Sequence, residues 1–130
     1  MTYLLDTPVV LWLLLDPDRV PDDLLGRLRQ RSSRLLVSAA SAWEVATKHR
    51  LGRLPEASDV VTSWQRHLEH LGVDDLPVST AHALRAGGLD SPHRDPFDRV
   101  LVAQAQLEDV ALVTADAAVR RLEPARTVWA

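Results

Sequence analysis

Four acidic residues, Asp6, Glu44, Asp98 and Asp116, lie far apart in the chain, and each stands where a β-like run has just ended or a helical pattern has just begun. Carboxylates brought within a few ångströms repel one another, and leaving one buried without a counter-charge costs on the order of several kcal/mol. A convergent quartet must therefore hold divalent cations or be partly protonated. With no cysteine in the chain, such a metal would be held by oxygen or imidazole alone.

Each acid also has a purely local use. Asp6 ends the run Thr2 to Asp6, and in open parallel sheets ligands sit beyond the carboxyl ends of strands. The same residue could instead be a turn aspartate accepting amide protons from the next helix. Glu44 closes Ser41-Ala-Trp-Glu44, which fits a capping box, but Ser38 directly follows a strand and is the more natural cap. Glu44 then falls near the second turn, where capping does not explain it. In Asp95-Pro96-Phe97-Asp98, Asp95 is a good N-cap and Pro96 fits the first helical position, where its missing N–H costs nothing. Asp98 is left for a metal, with Asp95 as a supporting acid. Asp116 follows Val113-Thr114-Ala115 and could equally cap the helix Ala117 to Leu122. Thr114 could orient a carboxylate or a water.

Short β-like runs alternate with longer helical patterns, which predicts an α/β domain with a central, mostly parallel sheet flanked by helices. Strands are expected at Thr2 to Asp6, Arg34 to Ser38 and Val110 to Thr114, with shorter edge candidates at Leu76 to Ser79 and Arg126 to Trp129. The helical patterns run Pro8 to Leu14, Pro21 to Gln30, Ala39 to Leu51, Ser58 to Leu71, Thr80 to Ala86, Pro96 to Leu107 and Ala117 to Leu122. Gly52 suits a helix C-terminus, and Gly87-Gly88 with Ser91-Pro92 suits a loop. Trp64, on the apolar stripe of Val61, Leu68 and Leu71, reads as core or subunit interface.

At 130 residues the chain is expected to form a single domain, 1–130. Its longest apolar run, Val9 to Leu15, is far short of the roughly 20 residues of a bilayer span, and nothing frames it as a signal peptide. A cytoplasmic protein without a membrane segment is expected. Net charge is −3, which does not by itself advertise nucleic-acid binding. The basic residues are nevertheless almost all arginine, with Lys48 the only lysine, and arginine's fork suits phosphate. The five histidines show no paired ligand spacing, although His93 sits two residues before Asp95. Neither a dinucleotide fingerprint, a P-loop nor a G-x-S-x-G elbow occurs.

Taken in order, Leu5-Asp6-Thr7, Ser41-Ala-Trp-Glu44, Arg94-Asp-Pro-Phe-Asp-Arg99 with Val102-Ala-Gln-Ala105, and Val113-Thr-Ala-Asp116 resemble the PIN-domain ribonucleases. Within them the chain is similar to the VapC-like toxins of type II toxin–antitoxin systems. The resemblance spans nearly the whole chain and implies a three-layer PIN-like fold. It also implies an endoribonuclease in which Asp6, Glu44, Asp98 and Asp116 bind Mg²⁺, or Mn²⁺ in its place, with Asp95 as an additional acid. A homodimer and a VapB-like antitoxin reaching into the active-site groove are implied as partners. In that setting Arg94, Arg99 and Thr114 are candidates to contact RNA or antitoxin, Arg99 having an ion pair with neighbouring acids as its alternative. A rival of another class is a catalytically inactive PIN-like scaffold whose acids merely cap helices. A receiver-like or phosphatase-like hydrolase with Asp6 as phosphoacceptor would usually want a D-x-D pair or a lysine late in the chain, and the only lysine is Lys48.

Overall fold

The computed structural model describes residues 1–129. In chain order the elements are β1 (Thr2–Leu5), α1 (Thr7–Leu15), α2 (Asp22–Leu28), β2 (Arg34–Ser38), α3 (Ala39–Arg50), α4 (Ser58–Thr62), α5 (Trp64–Leu71) and β3 (Val73–Leu76). They are followed by α6 (Thr80–Gly88), α7 (Pro96–Glu108), β4 (Ala111–Val113), α8 (Ala117–Leu122) and β5 (Thr127–Val128). Two single 3₁₀ turns, Pro17–Arg19 and Pro55–Ala57, link helices.

The strands form one sheet in the order β3-β2-β1-β4-β5, and every pairing is parallel. Along β1, Tyr3 and Leu5 face one side and Leu4 the other, as the two-residue period of a strand requires, and all three are buried. That is the signature of a central parallel strand covered on both faces. Tyr3 and Leu5 join Leu35, Val37 and Val113 in a core closed by Val9 and Val10 of α1, Leu24 and Leu28 of α2, and Leu68 of α5. Leu4, Leu36 and Leu112 meet Leu101, Val102 and Ala105 of α7 and Val119 of α8 on the opposite face. The molecule is thus a three-layer α/β sandwich. No described helix is long and apolar enough to cross a membrane.

Several boundaries differ from expectation. The third strand is Val73–Leu76, whereas the apolar run at Leu76 to Ser79 leads out of the sheet. Pro77 has no N–H to give a ladder, and Ser79 is taken as the cap of α6, its Oγ accepting from the His82 amide at 3.1 Å. The stretch Ser58 to Leu71 is broken at Ser63, whose φ of −121° and ψ of 39° leave the helical region. At the break the Thr62 hydroxyl donates to the Ser58 carbonyl at 2.9 Å, the kind of local side-chain bond that competes with a regular helix. Gly87 and Gly88 continue α6 rather than opening the loop. The helix from Pro21 is trimmed to α2, with Pro21 as its N-terminal flank.

From β1 the chain moves outward through β2 and β3, then returns to the other side of β1 to lay down β4 and β5. The order reverses between β1 and β4, and in open α/β sheets the crevice beyond the strand ends at such a point is where ligands bind.

Candidate active site

Asp6 leaves β1 at this reversal and caps α1. It is 4% exposed; one carboxylate oxygen accepts from the Thr7 amide at 2.8 Å and the other from the Thr114 hydroxyl at 2.7 Å. Thr114, just past β4, is buried in turn and its hydroxyl oxygen accepts from the Asp116 amide at 3.1 Å. One threonine thereby ties the ends of β1 and β4 to the start of α8. The turn-aspartate use of Asp6 is realised, but it does not account for the group's chemistry. Burial pushes the Asp6 carboxyl up to about 6, the negative charges of Asp98 and Glu44 push in the same direction, and the Thr114 and Thr7 bonds resist.

Thr114→Val would remove the hydroxyl that donates to Asp6 and accepts from the Asp116 amide, with little change of shape. Leaving buried polar groups without partners should cost about 1–2 kcal/mol. A lower urea midpoint and an Asp6 carboxyl titrating still higher, followed by NMR, would show this; an unchanged carboxyl would refute the link.

Asp98 comes from the first turn of α7. It too is pushed up to about 6, first by burial, with Asp95 and Asp116 adding their charge, while the hydrogen bond from His93 and the imidazole's charge oppose. His93 Nε2 lies 2.9 Å from Asp98 Oδ2. Asp95 is the cap that its place before Pro96 suggests, one oxygen accepting from the Phe97 amide at 2.9 Å and the Asp98 amide at 3.3 Å. Asp116 likewise caps α8, accepting from the amides of Ala118 at 2.8 Å and Val119 at 3.2 Å. It is exposed, yet near enough to Asp98 to disfavour its ionisation.

Glu44 is 4% exposed and lies on the second turn of α3, beyond the cap made by Ser38, whose Oγ accepts from the Ala40 amide at 3.0 Å. Its carboxylate is ion-paired with Lys48 one turn further on. Lys48 went unremarked as a site residue, although a Glu four residues before a Lys on a helix is a recognised pairing signal. Ser41 was missed except as a possible cap. Its hydroxyl shares a 2.8 Å hydrogen bond with that of Thr7 and pins α3 to α1, a contact with no signature in local sequence.

The four acids are therefore linked through their charges, Asp6 with Asp98 and Glu44, and Asp98 with Asp116. Among the described residues, however, no three Asp, Glu or His side chains close into a ready-made metal-ligand group. Two of the carboxyls are held above their ordinary range by burial and mutual repulsion, and Lys48 answers only Glu44. An oxygen-only donor set in electrostatic deficit fits a hard divalent cation.

Arg94 is exposed beside this mouth. Arg99 is placed differently from its expectations. Its guanidinium donates to the carbonyls of Ala86 at 2.8 Å, Leu89 at 2.7 Å, Ser91 at 3.1 Å and His93 at 2.9 Å, with a longer contact to Gly87 at 3.4 Å. Those donors are engaged with the backbone of the loop that carries His93, and the ion pair with neighbouring acids is not formed.

Comparison with known proteins agrees with this architecture. The PIN domain family profile matches residues 3–123. A curated relative, Ribonuclease VapC16 of Mycobacterium tuberculosis (strain ATCC 25618 / H37Rv), is 36% identical over 58 residues, covering 45% of this chain and 41% of the relative. The match thus spans about two-fifths of that relative's length. Among solved structures, VapBC2 from Rickettsia felis bound to a DNA fragment from its promoter superposes with a TM-score of 0.70 at 16% identity, covering all of both chains. A toxin-antitoxin complex from Klebsiella pneumoniae gives a TM-score of 0.61 at 15% identity, covering 97% of this chain and 95% of that one. Since the family match runs from the first strand to the end of the last helix and takes in every acid of the crevice, the chain belongs to the PIN domain family.

Proposed function

We propose that this chain is a divalent-metal-dependent endoribonuclease and the toxin half of a type II toxin–antitoxin pair. The observation that carries the activity is the placement of Asp6, buried, and Asp98, largely buried, on different elements near the sheet's reversal point, the charge of Asp98 helping to raise the Asp6 pKa and those of Asp95 and Asp116 the Asp98 pKa. A carboxylate needed only as a helix cap could do that work at the surface, as Asp95 and Asp116 do. Similarity to Ribonuclease VapC16 supports RNA as the substrate, and the toxin-antitoxin complexes among its structural relatives support a VapB-like antitoxin as partner. A homodimer in the cytoplasm completes the reading.

Asp6 and Asp98 would hold the ion, Mg²⁺ or Mn²⁺, with Glu44 and Asp116 beside them and Asp95 supporting. Bound there, it would supply an ionised water near neutral pH and offset charge on the phosphate undergoing in-line displacement. The protein's own part is positioning. The Thr114 hydroxyl and Thr7 amide fix both oxygens of Asp6, the hydroxyl contact of Thr7 with Ser41 sets α3 against α1, and His93 orients Asp98. Lys48 supplies the counter-charge beside the buried Glu44 carboxylate. Arg94, free of a protein partner among the described residues, is available to a phosphate.

The test is cleavage of total cellular RNA by the purified chain in Mg²⁺, Mn²⁺ or EDTA. Cutting with either metal and none in EDTA is expected; cutting that persists in excess EDTA would exclude the mechanism.

A further inference from the structure

The residues immediately before two of the acids, Trp43 before Glu44 and Phe97 before Asp98, meet across the gap between α3 and α7. Their ring centroids are 4.9 Å apart at 77°, an edge-to-face contact of the kind aromatic quadrupoles favour. Successive residues leave a helix about 100° apart, so while Glu44 turns inward, the indole stands on the shoulder of the crevice. Trp43 is 65% exposed, whereas Trp12, Trp64 and Trp129 are all partly buried. Phe97 is half-buried, and its backbone is fixed by the Asp95 cap, which accepts from its amide. The indole is therefore propped rather than loose, with a broad face left to solvent.

We propose that Trp43, braced by Phe97, is a stacking platform for an unpaired base of single-stranded RNA next to the phosphate held at the acids. Every base has a π-face, and aromatic side chains beside a charged groove hold single strands in this way. A folded protein partner would need a contiguous apolar stripe, and Trp43 is not among the residues that line the apolar cavity of Pro8, Leu11, Trp12, Leu15 and Leu54. The other large exposed apolar side chains, such as Leu51, Leu84 and Leu107, lie off the first two turns of α3 and α7, and Arg94, Asp95 and Pro96 are the exposed residues leading to Phe97. The inference rests on the ribonuclease reading for the phosphate's position, but its own test does not require cleavage.

Binding is measured by fluorescence anisotropy in Mg²⁺ on the full chain carrying Asp98→Asn, so that no turnover occurs, with labelled oligoadenylate, oligouridylate and an abasic ribose-phosphate chain of equal length as probes. Adding Trp43→Leu should weaken oligoadenylate binding about 5- to 100-fold and erase any preference for adenylate over uridylate. Trp43→Phe, which keeps a stacking face, should stay within about 3-fold, and affinity for the abasic chain should be the same in all three proteins. Because the side chain is exposed, thermal melts should show all of them folded. Equal affinity of the Trp43→Leu protein for oligoadenylate would overturn the inference and leave Trp43 to a protein surface. An equal loss on the abasic chain, or no RNA binding at all, would overturn it as well. Failure of the ribonuclease reading is recognised separately, by wild-type protein that binds these RNAs but cuts none.

Discussion

Replacing Asp6 by Asn is expected to abolish RNA cleavage and, in the absence of metal, to make the protein more stable. The loss of activity should be roughly 10³-fold or more, the factor that about 4 kcal/mol of transition-state stabilisation supplies. The gain in stability follows from the raised carboxyl. Its folded-state value of about 6, against 3.8 ordinarily, means that the folded chain binds the more protons between those values. The protonated form's contribution is therefore complete below pH about 4 and is lost as pH rises through about 6, leaving a penalty of up to about 3 kcal/mol at pH 8. Asparagine keeps the shape and the Thr7 bond while removing the charge. Urea unfolding in EDTA should show Asp6→Asn ahead of wild type by about 1–3 kcal/mol at pH 8, with the gap closing towards pH 4. Asp98→Asn should follow the same pattern with a smaller gap, since Asp98 is less deeply buried than Asp6. A variant less stable than wild type at pH 8 would mean that the carboxylate is structural.

Substitution of Arg99 should be the most damaging change that spares every acid. Its guanidinium gathers carbonyls from the end of α6 through the loop to His93 onto the start of α7, and lysine cannot reproduce that fork. Arg99→Ala should cost about 2–4 kcal/mol, and Arg99→Lys should recover less than half of it despite keeping the charge. Amide exchange at residues 87–93 should accelerate in both variants. Cleavage should fall because His93 no longer orients Asp98. If Arg99→Lys instead matched wild type in stability and exchange, the residue would be acting as a simple positive charge, as a phosphate contact would.

The fold was legible wherever sequence pattern and burial coincide. The apolar runs of β1, β2 and β4 are covered on both faces and read as strands with little error, and the alternation of strands with helical stretches led to the parallel sheet. The edge strand β3 was not legible, because two of its four residues, Asp74 and Asp75, face solvent and are poor strand formers, while Arg34 meets Asp74 across the edge at 3.2 Å. The break at Ser63 was hidden because Val61, Trp64, Leu68 and Leu71 keep a helical period across it.

At the candidate site, capping logic separated the acids usefully. Asp95 does cap α7, Ser38 does cap α3, and Glu44 lies buried one turn beyond any cap. What no pattern disclosed was the work of Arg99 and Ser41, since their partners are backbone carbonyls and a residue 34 positions away. Asp116 remains the acid with the strongest local employment, both amides at the start of α8 resting on it.

On the proposed reading, Asp6 and Asp98 act together as the heart of one divalent-cation site. Titration calorimetry with Mn²⁺ in buffers of different ionisation enthalpy tests it most directly. Wild type should bind at about millimolar concentration or tighter, and should release protons on binding at pH 6, where both carboxyls are part-protonated, but almost none at pH 8. The Asp6→Asn/Asp98→Asn protein should bind no ion over the same range. Absence of binding by wild type, or equal binding by the double variant, would contradict the account.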